Sequence, residues 1–388
     1  MWQSVNSTWN QLLTPRKPAK IRRKLGEYLL PTDALETRCL LSADFSFAAA
    51  LGGTSVDGGR SIAVDDDGNS YITGFFAGTA DFDPGPGVFN LTGHGNDDVF
   101  IAKLDSAGKF VWAKGFGGSS NENGTAIAVD SDGNSYVTGF FRGTVDFNPG
   151  SGTFNLTSSS SSDDIFIMKL DSQGEFAWAK KIGSTGYDAG LGIALDDAAN
   201  VYTTGYFRGI TDFDPGSGTF NLTSAGGRDI FVSKLDTAGN FVWAKNFAGT
   251  QGETTIESGY GIAIGENGNV YTTGGFEATV DFDPGAGTAN LTSNGNSDIF
   301  VSVLDSNGNY VWAKSFGGTD ADLAFAIDTD QFNNVYTAGQ FQQTVDFDPG
   351  AGTSNHTSAG GYDIFVSKLD SNGDFAWANS FGSTNSDS

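Results

Sequence analysis

The chain has 388 residues, among them 55 Gly, only 9 Pro, 32 Phe, 11 Tyr and 7 Trp. So much aromatic mass and so many glycines exclude a solvated tail and point to a folded, turn-rich protein. Acids outnumber bases 46 to 21, a formal charge of −25, which repels a phosphate backbone and excludes nucleic-acid binding through a basic surface.

In chain order, the first element is a basic head: residues 1–38 carry seven Lys/Arg against three acids. Residues 1–43 are expected to be an unstructured export or targeting segment, ahead of a folded body at 44–388. Cys39 is the single cysteine, so no intramolecular disulfide can form, and with only His94 and His356 no Cys/His zinc cluster can be assembled. No run approaches the ~18 apolar residues of a spanning helix, and no secretory apolar segment of ~7 to 15 residues stands out. Both histidines read as exposed loop residues.

The body is a tandem array. The tetrapeptide FDPG, once FNPG, starts at Phe82, Phe147, Phe213, Phe282 and Phe347, at spacings of 65, 66, 69 and 65. Trp112, Trp178, Trp243, Trp312 and Trp377 step by 66, 65, 69 and 65. Two markers in phase establish five repeats, with the length differences in the stretches 158–162 and 248–259, where insertion costs little. Within unit one, four strands are predicted: Ser61–Val64, Ser70–Phe76, Val99–Leu104 and Phe110–Phe116. Residues 45–53 align with 110–118, so a lone fourth strand precedes unit one, and residues 381–388 resemble the start of another unit.

A four-stranded unit of this size cannot cover both faces of its own sheet; stacking against like units can. The expected fold is therefore all-β, a β-propeller of five four-stranded blades of about 65 residues or an incomplete six-bladed ring. A linear β-solenoid is disfavoured because its coils repeat at ~20 to 30 residues.

The pattern GNSYITGFF, DFDPG, DDVFIAKLD, GKFVWAKGFGG resembles the SBBP family of bacterial β-propeller repeats. That resemblance implies a propeller and no particular reaction. Leu35 to Leu41 (LETRCLL) resembles the LEPR-XLL segment of planctomycete surface and secreted proteins, with Thr37 in place of Pro. This implies an extracellular or cell-surface location.

Several residues could carry chemistry. In each DFDPG, two carboxylates two residues apart lie on one side of an extended backbone and could share calcium: Asp81 with Asp83, Asp212 with Asp214, Asp281 with Asp283, and Asp346 with Asp348. The competing reading is turn capping, with no cofactor at all. The recurring N-[LH]-T at Asn90, Asn155, Asn221, Asn290 and Asn355 also reads as turn chemistry. Repeat positions that differ between units are the candidates for ligand binding: Arg60, Tyr260 and Phe325 before the first-strand core, Arg142 and Arg208 after the second strand, and Asp328 where other units have Ala. The expectation is a non-catalytic binding or scaffold module for protein or polysaccharide. The alternatives are a polysaccharide-acting enzyme using channel carboxylates, and a ligand-free spacer.

Overall fold

A computed structural model describes residues 47–249 and 257–387. The basic head, Cys39, the LEPR-XLL-like segment and most of the four-residue insertion lie outside the described residues. The described residues form strands and turns without a helix, and accordingly no helix among them is long and apolar enough to cross a membrane.

Each repeat folds into a four-stranded antiparallel meander, its strands side by side in chain order. In unit one these are Asp57–Val64, Ser70–Phe76, Asp98–Leu104 and Phe110–Phe116. The first strand starts four residues before its predicted beginning, because Asp57, Gly58 and Gly59, which look like turn residues, continue the ladder opposite Phe76, Phe75 and Gly74. The long polar connection holds an unpredicted outer hairpin, Thr79–Asp81 against Asn90–Thr92. N-[LH]-T is one strand of that hairpin, and its Thr92 hydroxyl meets that of Thr79 at 3.1 Å. His356 is not an exposed loop residue. It takes the Leu place of this strand, half-buried against the Phe347 ring at 5.4 Å, with Nδ1 3.0 Å from Ser380 Oγ.

The cores lie between units, as expected of sheets too small to shield themselves. Tyr71, Val99, Ile101, Trp112 and Phe116 of unit one are buried together with Ile127, Val137, Phe141, Phe147 and Phe166 of unit two. Equivalent clusters join units two and three, three and four, and four and five. Phe116 lies 5.2 Å from Phe147 and 5.7 Å from Phe166, and each fully buried Phe of this kind contributes about 1.5–3 kcal/mol. The first strands of successive units lie against one another from unit one to unit five. The architecture is that of a β-propeller, radial sheets with their first strands innermost. The backbone also links the units: Ala248 and Gly249, ending the fourth strand of unit three, pair with Asp281 and Val280 in the outer hairpin of unit four.

Candidate ligand-binding face

Every first strand carries a β-bulge at one place. The ladder skips a residue between Gly59 and Ser61, Gly124 and Ala126, Gly190 and Gly192, Gly259 and Gly261, and Ala324 and Ala326. The extra residues are Arg60, Thr125, Leu191, Tyr260 and Phe325. A bulge leaves its extra residue outside the pairing pattern and re-aims the side chain, and here it does so on the innermost strand. Gly124 shows why small residues flank the bulge: a Cβ there would collide with Thr73 of the preceding unit. Thr125 is drawn into the scaffold, its Oγ1 donating to Gly190 O at 2.6 Å. Tyr260 and Phe325, from adjacent units, meet edge to face with centroids 5.4 Å apart. Arg60 is exposed, its guanidinium 5.1 Å from the Phe75 ring centre.

The second strand of each unit ends beside the bulged stretch and brings further groups. Arg142 donates from Nε and Nη2 to Asp163 Oδ1, both at 2.8 Å, and stands 5.6 Å from the centre of the exposed Tyr187 ring. Arg208 is anchored by its backbone, its N–H donating to Asp188 Oδ1 at 2.9 Å and its carbonyl accepting from Ser184 Oγ at 2.7 Å. Arg228 lies 4.0 Å over Tyr206. Burial pushes the Tyr206 phenol up, Arg228 opposes this, and Asp163, Asp188 and Tyr260 reinforce it, so these groups share one electrostatic neighbourhood. Tyr206 was not singled out from sequence. It stands where other units have Phe75, Phe140, Gly275 and Gln340, the same kind of variable position that marked Tyr260. Asp328 lies elsewhere, three residues along the strand from Phe325, exposed, with Oδ1 accepting the N–H of Thr329 at 2.8 Å.

The acidic turns follow one geometry. Asp81 Oδ1 accepts the N–H groups of Asp83 and Phe89 at 3.0 and 2.8 Å. Asp212, Asp281 and Asp346 make the same pair of bonds, as does Asp146 in unit two. The second acids, Asp83, Asp214, Asp283 and Asp348, each accept one glycine N–H at 2.8 Å. Among the described residues no three His, Cys, Asp or Glu side chains are grouped so that they could hold a metal ion.

A set of buried acids lies at the unit junctions, where no repeat motif marks them. Glu122, Asp188 and Asp322 open their units, and each accepts an N–H from the turn just before it: Gly118 at 2.8 Å, Ser184 at 2.7 Å and Gly318 at 2.7 Å. Asp98, Asp164, Asp229, Asp298 and Asp363, starting the third strands, are at most 4% exposed. Burial pushes Glu122 up to about 7, against the hydrogen bond from Gly118, with Asp98 adding to the rise. Burial likewise raises Asp298 to about 7 and Asp188 to about 6. Such shifts often mark active sites, but ion networks within a scaffold produce them too; these acids hold backbone N–H groups between sheets.

A family model described as a beta-propeller repeat, SBBP, matches residues 111–139. The match straddles a junction, running from the fourth strand of unit one to the second strand of unit two. The chain is similar to an uncharacterized WD repeat-containing protein of Acanthamoeba polyphaga mimivirus, 27% identical over 242 residues, 55% of this chain and 17% of that protein. It is also similar to the regulatory protein FlaEY of Caulobacter vibrioides, 28% identical over 197 residues, 50% of this chain and 19% of that protein. The chain thus spans less than a fifth of the length of these curated relatives. A solved structure of a protein of unknown function from Bacteroides caccae aligns over 73% of this chain and 90% of that one, at 9% identity and a TM-score of 0.36.

Proposed function

We propose that this chain, a β-propeller repeat protein, works outside the cytoplasm as a non-catalytic binding module whose ligand meets the bulge residues of the innermost strands and the arginine–tyrosine groups beside them. One observation carries the reading. Five bulges share one backbone geometry yet present Arg60, Thr125, Leu191, Tyr260 and Phe325, whereas repeat positions that agree are occupied with capping turns and filling inter-unit cores. Rigid aromatics and Arg are the side chains that supply most energy per contact at binding surfaces. With Tyr187, Tyr206, Arg142 and Arg228 close by, the face suits a protein or polysaccharide segment offering planar or sugar rings and anionic groups. The external location rests on the basic head and on the likeness of residues 35–41 to an export-associated segment.

Glycan and protein arrays at physiological salt test this. The wild-type chain is expected to retain a ligand that Tyr260→Ala with Phe325→Ala loses, the double variant keeping the parent melting point to within a few degrees. Ligand capture unaffected by these changes and by Arg142→Ala would remove the bulge residues and their arginine neighbours as the binding face.

A further inference from the structure

Acids outnumber bases 46 to 21, so a guanidinium in this protein has carboxylates in excess to pair with. After residue 43 the chain has four arginines, Arg60, Arg142, Arg208 and Arg228, and only Arg142 takes a carboxylate, that of Asp163 at 2.8 Å. Among the described residues the guanidinium groups of Arg60, Arg208 and Arg228 make no hydrogen bond and no ion pair. The lysines behave differently: Lys103, Lys169, Lys234 and Lys368 each stand 3.5 to 3.8 Å from an aspartate.

The two kinds of cation occupy opposite ends of the sheets. In unit three the second strand, Val201–Phe207, leads into Arg208, and the third, Asp229–Leu235, follows Arg228, with Phe207 paired to Asp229. Lys234 and its partner Asp196 lie at the other end of these seven-residue strands, roughly 20 Å away. The field of those turn acids is screened over that distance, because it decays within about 8 Å at physiological ionic strength. Nearer the arginines, Asp163 is engaged by Arg142, and Asp188 accepts the N–H groups of Ser184 and Arg208.

Two of the open guanidinium groups lie on rings instead of acids. Arg228 is 4.0 Å from the centre of Tyr206, and Arg60 is 5.1 Å from that of Phe75, the counterpart of Tyr206 in unit one. Cation–π attraction holds such a group by its face, while its N–H donors radiate in the plane and stay open. That planar fork matches the oxygens of a carboxylate or sulfate.

Aromatic rings join the arginines into one stripe. Arg142 stands 5.6 Å from Tyr187, which is 46% exposed, and Gly186 beside it lies so close to Arg208 that a Cβ would collide. Tyr206 shares the electrostatic neighbourhood of Tyr260, and Tyr260 meets Phe325, which is 44% exposed, at 5.4 Å.

Resting on the reading of this face as the binding surface, we infer that its ligand is an anionic polysaccharide, whose sugar-borne carboxylate or sulfate groups are taken by Arg208 and Arg228 while its rings lie on Tyr187 and Phe325. A neutral glycan leaves the open guanidinium donors unused. An acidic peptide answers the arginines but carries its charge on flexible stems and brings no ring to the exposed aromatics. An acidic sugar bears ring and charge together, as the face sets arginine beside aromatic.

Isothermal titration of the full chain with polygalacturonate, dextran sulfate, neutral dextran and polyglutamate tests this. Binding is expected for one or both anionic glycans, weakened by added salt, with none for dextran and less for polyglutamate. Preference for polygalacturonate assigns the carboxylate, and preference for dextran sulfate the sulfate ester. Arg228→Gln and Arg208→Gln should each weaken the complex about tenfold. The Arg208 side chain makes no bond of its own, so that variant should keep the parent melting point even if Arg228→Gln does not. Glycan affinity unchanged in both variants, or polyglutamate bound as tightly as the glycans, overturns the inference. A neutral ligand that is lost on changing Tyr260 and Phe325 also overturns it while leaving the binding face in place, and ligand capture indifferent to rings and arginines alike removes both.

Discussion

The indole of Trp112 sits on Gly174 of the following unit so closely that a Cβ on Gly174, whose φ is +76°, would meet the ring at 2.9 Å. Nε1 of the same indole donates to Ser172 O at 3.3 Å. The arrangement recurs at Trp178 with Gly239, Trp243 with Gly308 and Trp312 with Gly373, so in units one to four a tryptophan clamps the next unit's turn.

Gly174→Ala should therefore suffer twice, from the left-handed backbone and from the ring. Gly209 is its natural control, with φ +84° and nothing within 4 Å of an added Cβ. Gly209→Ala is expected to cost about 1–2 kcal/mol, the penalty of that backbone region alone. Gly174→Ala should exceed it by about 1–3 kcal/mol of overpacking, read from urea unfolding midpoints. Equal losses in the two variants would show that the ring does not press on the turn.

Two groups of acids make stability depend on pH in opposite senses. Hydrogen bonds from Asn334 hold Asp330 well below the usual carboxylate range, and those from Asp83 and Phe89 hold Asp81 down. Their contribution is present above the unfolded value near 4 and is lost as pH falls. Burial raises the junction acids, to about 6 for Asp188 and Asp322, about 7 for Glu122 and Asp298 and about 9 for Glu257. Their contribution is complete below the unfolded values near 4 and is lost as pH rises through 6 to 9. Thermal stability is expected to peak near pH 4 to 5 and to decline toward pH 9. Asp298→Asn removes one buried charge and should be more stable than the parent at pH 8 by roughly 1 kcal/mol or more, with little difference at pH 4.5. A flat profile from pH 5 to 9 would contradict this assignment.

What the sequence shows clearly is what repeats with large side chains. Phe82 and Trp112 recur in phase, and period-two aromatics reveal the second and fourth strands to the residue. The outer hairpin is harder to see because its strands have only three residues and carry Asn, Thr and Asp, the composition of a turn. The junction acids are hidden for another reason: Glu122 acts on Gly118 across a unit boundary, and no pattern confined to one unit displays that relation. Variation between units marks Arg60, Tyr260 and Phe325, which the structure places at first-strand bulges, but does not reach the pairing of Tyr206 with Arg228, which depends on how the third strand lies along the second.

The inter-unit hydroxyl bond of Tyr71 gives a direct comparison. Its OH meets both Asp65 Oδ2 and Gly133 O of unit two at 3.1 Å, while Tyr336 in unit five bonds to Asp330 Oδ2 at 3.1 Å. Tyr71→Phe abandons the buried Gly133 carbonyl as well as the carboxylate and should cost about 1–3 kcal/mol. Tyr336→Phe, on the uncovered face, should cost less. Matched unfolding curves of the two variants decide it, and a larger loss at Tyr336 would show that the bond to Gly133 adds nothing.

The acidic turns separate capping from calcium. In unit two Asn148 stands in the second acid's place and accepts Gly150 N–H at 2.9 Å, as Asp83 accepts Gly85 at 2.8 Å, so this position needs an oxygen and not a charge. Changing Asp83, Asp214, Asp283 and Asp348 together to Asn is expected to leave the melting point within a few degrees of the parent, and chelator should leave both proteins unmoved. The first acid is different: Asp281 Oδ1 serves two N–H groups, those of Asp283 at 3.0 Å and Ala289 at 2.8 Å. Asp281→Ala should destabilise by about 1–3 kcal/mol, the scale of hydrogen bonds to a charged acceptor. Loss of stability in the fourfold Asn variant, matched by a chelator-induced loss in the parent, would instead establish calcium at these turns.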